Sequence, residues 1–203
     1  RDLHRVDRRQ RQMCIRDRKK LDLDTKSIKN WIEKSSHTAD YMIPLHFNEE
    51  VLFDYYFNLH QILDQLHLAL GFSKNTKQKF QEAWVNVESR ERTSVPHTHP
   101  SADLICVYYP YVEQGSGNLE FINPNSSVEY AFPQTRDNTI IDTYNLFNSK
   151  LWQVVPENDL LVVYPSWLPH YVSHGNPNTT RMSIALNSKT VCSKLKITVV
   201  GCT

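Results

Sequence analysis

The feature that most constrains this chain is a change of texture near Ala83. Beyond it, short runs rich in β-branched and aromatic residues recur at 84–88, 104–109, 118–122, 128–132, 151–155, 160–164, 181–187 and 195–200. Breakers lie between them, among them Gly115-Ser116-Gly117-Asn118, Asn123-Pro124-Asn125 and Gly175-Asn176-Pro177-Asn178. Runs of this length bounded by turn residues read as strands. No strand–helix alternation is present, which argues against a parallel α/β fold. About eight strands behind a helical N-terminal third predict a mainly β protein with N-terminal α-helices, its strands arranged as a double-sheet jelly roll.

The residues before Ala83 carry helical spacing instead. Asp24 or Thr25 is placed to cap a helix over 26–34, with Ile28, Trp31 and Ile32 as its apolar stripe. A second helix follows from an N-cap at Asn48, with Glu49 and Glu50 in the first turn. Leu52, Tyr55, Leu59, Ile62, Leu63, Leu66 and Leu70 then recur at helical spacing. Gly71 stands where that helix would stop. Residues 74–82 read as one more short helix. The expected organisation is a single domain over 21–203, with helical support at 21–82 and a jelly-roll core at 83–188. A chain of 203 residues, 40% of them hydrophobic, is long enough to bury a core of that kind.

Charge is unevenly spread. Residues 1–20 hold nine of the 23 Lys and Arg but three of the 22 Asp and Glu, so the remainder carries 14 basic against 19 acidic groups. A basic arm can grip an anionic surface. This one has no apolar periodicity and no aromatic residue for base stacking. Around Gln12–Arg18 it resembles translated sequencing-adapter sequence, so residues 1–20 are read as a disordered or non-native basic tail. The acidic remainder argues against a nucleic-acid groove. No apolar run approaches the ~20 residues of a membrane span, so no membrane partner is expected and a cytoplasmic location is the default. Cys14, Cys106, Cys192 and Cys202 show neither zinc-site spacing nor the density of a disulfide scaffold.

Nine histidines are present. His60 and His67, on the long helix, read as surface or boundary residues, and His4, His37 and His46 belong to no constellation. His97 and His99 differ, because one residue separates them. On an extended segment both imidazoles project from the same face and can reach one metal ion. His170 follows the apolar run 160–164 and a Pro165-Ser166-Trp167-Leu168-Pro169 turn, at the end of a different strand. Three protein ligands would leave positions open for other groups. Eleven residues on stands Arg181, and on a strand Arg181, Ser183, Ala185 and Asn187 share one face. An arginine fork beside a hydroxyl is a natural clamp for a carboxylate.

With these residues in place, the chain resembles the 2-oxoglutarate and iron(II)-dependent oxygenases, most closely a prolyl-hydroxylase-like branch from bacteria, marine bacteria included, and phages, of unassigned substrate. The resembling segments are Trp84–Asn86, Pro96-His97-Thr98-His99-Pro100-Ser101, Leu104–Tyr109, Gly117–Pro124, Leu160–His170 and Arg181–Asn187. They span roughly residues 80–188. The resemblance implies a double-stranded β-helix. It also implies oxidative decarboxylation of 2-oxoglutarate to succinate and CO2, coupled to hydroxylation of a substrate C–H bond. By position His97, His99 and His170 would hold iron(II). Arg181, helped by Ser183, would pair with the distal carboxylate of 2-oxoglutarate. Tyr109 would reach that carboxylate too, and Asn86 and Asn187 would line the pocket. The substrate would be a protein prolyl residue or a small metabolite, and a homodimer is left open.

One departure matters. The wider superfamily has a carboxylate where this chain has His99, so the metal loses one compensating negative charge, and nitrogen ligands raise competition from zinc, copper and nickel. Alternatively His99 stands outside the ligand set, with water or chloride, or less favourably Asp103, in its place. His174, four residues past His170, reads as exposed, and Trp167 as packed at the barrel mouth. Three other functions compete: an inert jelly-roll binding module, a three-histidine cupin-like dioxygenase needing no 2-oxoglutarate, and a zinc hydrolase. The first two need no buried clamp at Arg181-x-Ser183, and the third wants a general-base carboxylate beside the metal. Ser188–Thr203 lies outside the resemblance.

Overall fold

A computed structural model describes residues 21, 23–35, 42–44, 46, 49–89, 94–125, 127 and 148–192. The basic tail, Asn48 and the expected strands at 128–132 and 195–200 lie outside the described residues.

Helix α1 (Thr25–Ser35) starts where expected. The Asp24 carboxylate accepts hydrogen bonds from the Ser27 amide at 3.0 Å and the Ser27 hydroxyl at 2.6 Å, capping two groups of the first turn. A 3-10 turn (Glu50–Leu52) leads into α2 (Phe53–Ala69), so the long helix begins several residues later than its periodicity predicts. Its end is a Schellman arrangement: Gly71 at φ +85° lets its own amide reach the Leu68 carbonyl and the Phe72 amide reach that of His67.

Among the described residues, eight strands form two antiparallel sheets. In chain order they are β1 (Met42–Pro44), β2 (Thr76–Ser89), β3 (Leu104–Val112), β4 (Leu119–Ile122), β5 (Leu151–Val154), β6 (Leu160–Pro165), β7 (His170–Val172) and β8 (Thr180–Cys192). The larger sheet has the order β1-β2-β8-β3-β6 and the smaller β5-β4-β7. The larger sheet is buried on both faces, and residue parity sorts its side chains. Val85, Cys106, Tyr108, Val163, Ile184 and Leu186 pack with Ile28, Ile32, Tyr55, Leu59 and Leu63 of the helices. Ile105, Val107, Tyr109, Leu160, Val162, Tyr164 and Ala185 face Leu119 and Phe121 of the smaller sheet. Helices, large sheet and small sheet thus form three layers, and the jelly-roll fold class stands.

Two expectations fail. Residues 74–82 form no helix, since Thr76–Ser89 is one long strand paired with β8 from Thr76↔Cys192 to Ser89↔Thr180. A register shift between Phe80 and Glu82 explains the misreading. Gln78 and Phe80 are buried before it and Ala83, Val85 and Val87 after it, so the alternation changes phase and no period of two survives across 76–88. His67 is not a boundary residue either: it is 2% exposed. Its ring nitrogens meet Thr76 Oγ1 at 2.8 Å and Gln78 Nε2 at 3.0 Å, and Gln78 continues to Thr190 and Ser188. Burying a polar ring is tolerable when both nitrogens find partners.

Candidate metal centre and carboxylate clamp

The segment carrying His97 and His99 is held by backbone hydrogen bonds along its length. The amides and carbonyls of His97 and His170 exchange both bonds, at 3.0 and 3.1 Å, which adds a bridge to the free edge of β7. The His99 amide donates to the Ser166 carbonyl and the Ser166 amide to the Asp103 carbonyl, both at 3.0 Å. The Ser166 hydroxyl closes on the Ala102 carbonyl at 2.5 Å. The Pro165–Pro169 turn is therefore laced to 97–103, and the two histidine-bearing segments cannot drift apart without breaking several bonds.

That lacing gathers three imidazoles. One nitrogen from each of His97, His99 and His170 lies within 4.8 Å of the others, a spacing that can hold a single metal ion. Two rings are oriented by the chain itself. Nδ1 of His97 contacts the Val95 carbonyl at 2.8 Å, and Nδ1 of His170 the Leu168 carbonyl at 3.0 Å. A carbonyl only accepts, so each Nδ1 carries the proton and each Nε2 keeps its lone pair for a metal. Burial pushes His170 down to about 4, against the opposing pull of the Leu168 carbonyl, and so holds it neutral near pH 7. His99 is also lowered, first by burial and then by His97. Its ring stacks 6.0 Å from Trp84 at 18°. Exposure falls from His97 through His99 to His170, which is 4% exposed. The cluster therefore opens outward on the His97 side.

The same cavity, about 360 Å³, runs from the histidines to Arg181. Strand pairing builds its floor. Trp84, Asn86 and Glu88 of β2 stand opposite Ala185, Ser183 and Arg181 of β8, and all six line the cavity. Arg181 is 3% exposed. Its Nη1 donates to the Gly117 carbonyl at 2.8 Å, its Nη2 pairs with the Glu88 carboxylate, and its Cζ lies 5.9 Å over the Tyr109 ring. Gly117 is obligatory there: a Cβ would stand 2.0 Å from the Ser173 carbonyl oxygen. Nε of Arg181 is buried and has no hydrogen-bond partner among the described residues. Burial pushes the Tyr109 hydroxyl up to about 12, against the pull of Arg181, so it keeps its proton at neutral pH. Asn86 reaches Ser183 Oγ at 3.5 Å, the limit of a hydrogen bond.

Of the residues singled out by sequence, His97, His99, His170, Arg181, Ser183, Tyr109 and Asn86 line this one cavity. Asn187 is buried, but it lies outside the lining with its amide directed at Glu82. Asp103 accepts from the Thr190 amide at 2.6 Å and stands outside the histidine group. His174 is exposed, whereas Trp167, at 53% exposure, faces solvent more than a packed barrel mouth implies. Sequence reasoning missed Glu88, Ser94 and Tyr164 as lining residues. Glu88 was within reach, since it shares strand parity with Trp84 and Asn86.

The donor set fits a metal and a dicarboxylate. Three imidazoles converge at one end, and a buried guanidinium with an N–H unpartnered among the described residues stands at the other. Comparison with known proteins agrees with this layout. The family described as "Putative 2OG-Fe(II) oxygenase" matches residues 82–187. Among solved structures, the viral collagen prolyl hydroxylase of Paramecium bursaria Chlorella virus-1, in complex with 2-oxoglutarate, is similar at a TM-score of 0.56 and 10% identity, over 82% of this chain and 89% of that one. HygX of Streptomyces hygroscopicus, with nickel and 2-oxoglutarate bound, is similar at 0.54 and 13%, over 81% and 77%. A Trichoplax adhaerens prolyl hydroxylase in complex with a hypoxia-inducible-factor peptide is similar at 0.52 and 14%, over 81% and 75%. At these identities the likeness is one of fold. No curated protein matches the chain in sequence.

Proposed function

We propose that this chain, which belongs to the 2OG-Fe(II) oxygenase family, is an iron(II)- and 2-oxoglutarate-dependent dioxygenase that hydroxylates a C–H bond of its substrate. The observation that carries the reading is the single cavity joining His97, His99 and His170 to the buried Arg181. When bound, iron(II) and 2-oxoglutarate supply the oxidising chemistry, in which the cosubstrate is decarboxylated to succinate and CO2. His97, His99 and His170 would hold the metal, His97 and His170 through the Nε2 that a backbone carbonyl at Nδ1 leaves unprotonated. Arg181 and Ser183 bind the distal carboxylate of the cosubstrate, and the Tyr109 hydroxyl stands by as a further neutral donor. Asn86 orients the Ser183 hydroxyl. Ile105, Val107, Leu119, Val172 and Ala185 form apolar walls that limit water around these charges, which strengthens each of them.

The substrate enters on the exposed His97 side and is either a prolyl residue of a protein or peptide or a small metabolite. Prolyl hydroxylases of similar fold favour the first choice, although fold alone is a poor guide to substrate. We further propose one cytoplasmic domain over 21–203. No helix among the described residues is long and apolar enough to cross a membrane.

The test is anaerobic loading with iron(II), followed by a succinate assay with 2-oxoglutarate under oxygen. Succinate formation is expected, with or without substrate. Arg181→Ala should weaken 2-oxoglutarate binding by about 10- to 100-fold, the worth of a charged hydrogen bond, and leave metal binding intact. No turnover together with no 2-oxoglutarate binding would overturn the proposal. The three-histidine dioxygenase without 2-oxoglutarate predicts metal binding with no 2-oxoglutarate binding, in the wild type and in Arg181→Ala alike.

A further inference from the structure

The cavity has two formally charged side chains among its described lining residues, and they face each other. Glu88 and Arg181 are Cα partners across β2 and β8, so the register itself puts their side chains on one face. The pairing of Glu88 with Nη2 is thus built into the sheet rather than left to two flexible arms. Nη2 is also the nitrogen that both forks of a guanidinium share, the side fork with Nε and the end fork with Nη1. The Gly117 carbonyl already holds Nη1, and Nε has no partner among the described residues. A carboxylate that grips Arg181 with two hydrogen bonds must therefore share Nη2 with Glu88 or take its place. Two carboxylates on one nitrogen stand a few ångströms apart, where like charges repel strongly in a half-buried site.

We propose that Glu88 is a resident competitor for the carboxylate clamp. It neutralises Arg181 before a ligand arrives and sets how tightly a dicarboxylate is held at that end of the cavity. The inference rests on the reading of the cavity as a 2-oxoglutarate site. Leaving a buried arginine unpaired is costly, which gives the resident carboxylate a structural reason as well. The consequence is specific to the distal carboxylate: a keto acid without one has no quarrel with Glu88.

Equilibrium calorimetry on the iron(II)-loaded full chain without oxygen tests this, with 2-oxoglutarate and the monoacid 2-oxobutyrate as the two probes. Glu88→Gln keeps a hydrogen-bond acceptor and removes the charge. It should bind 2-oxoglutarate about tenfold more tightly and leave 2-oxobutyrate unchanged. Glu88→Asp, one methylene shorter, should shift 2-oxoglutarate in the same direction by less, and it serves if the Gln variant fails to fold. In Arg181→Ala the added Glu88→Gln change should bring no gain. Unchanged or weaker 2-oxoglutarate binding in folded Glu88→Gln overturns the competition while the proposed function stands, because the wild type still binds. Equal tightening of both acids also overturns it, since that is a general field effect. Binding of 2-oxoglutarate to neither protein overturns this inference and the proposed function together.

Discussion

Ser183 and Ile184 are neighbours on β8, yet they answer to different constraints. Ile184 is wholly buried against the helices, and with Met182 and Leu186 it forms an apolar stretch of that face. Ser183 looks the other way, in line with Arg181, into the cavity that holds the three histidines. One face of the strand was written by the hydrophobic effect and the other by chemistry, and a period of two keeps them apart. Ser183 should therefore tolerate substitution without unfolding the protein, whereas Ile184 should not.

Four substitutions separate the two faces. The largest effect should come from Ile184→Ala, which leaves a cavity in the helix-side core and should cost about 2–5 kcal/mol in denaturant unfolding. Iron(II) affinity of the folded protein should stay near the wild-type value, and a matching loss of metal affinity would show that the two faces are not separate. Next, His170→Ala should weaken iron(II) binding by about 100-fold or more, beyond what an outer-sphere partner contributes. His99→Ala should show an effect of the same kind, and unchanged affinity there would remove His99 from the ligand set. The smallest effect belongs to Ser183→Ala: a loss of about 1 kcal/mol in 2-oxoglutarate binding, roughly fivefold, with unfolding unaffected.

The chemistry-bearing face was largely legible before the fold was known. His97-x-His99 and Arg181-x-Ser183 each place two side chains on one face by strand parity alone, and the cavity lining contains all four. Legibility failed where a local rule was interrupted. The shift between Phe80 and Glu82 changed the phase of β2 and hid its first half. The strands β1 and β7 are three residues each, too short to show any period. His67 could not be placed because its burial depends on Thr76 and Gln78, which a reading of the helix alone does not bring near. Glu88 escaped for a related reason: its meaning appears only when register sets it opposite Arg181. Asn187 shows the converse, since it has the right parity on β8 but lies beyond the end of the cavity, beside Glu82.

In the proposed function one cavity would hold a metal at its histidine end and a dicarboxylate at its Arg181 end. Titration of 2-oxoglutarate into the full chain without oxygen, with and without iron(II), tests it most directly. One equivalent should bind per chain, binding should need the metal, and Arg181→Ala should lose most of it. Binding that ignores either the metal or Arg181, or no binding at all, would contradict it.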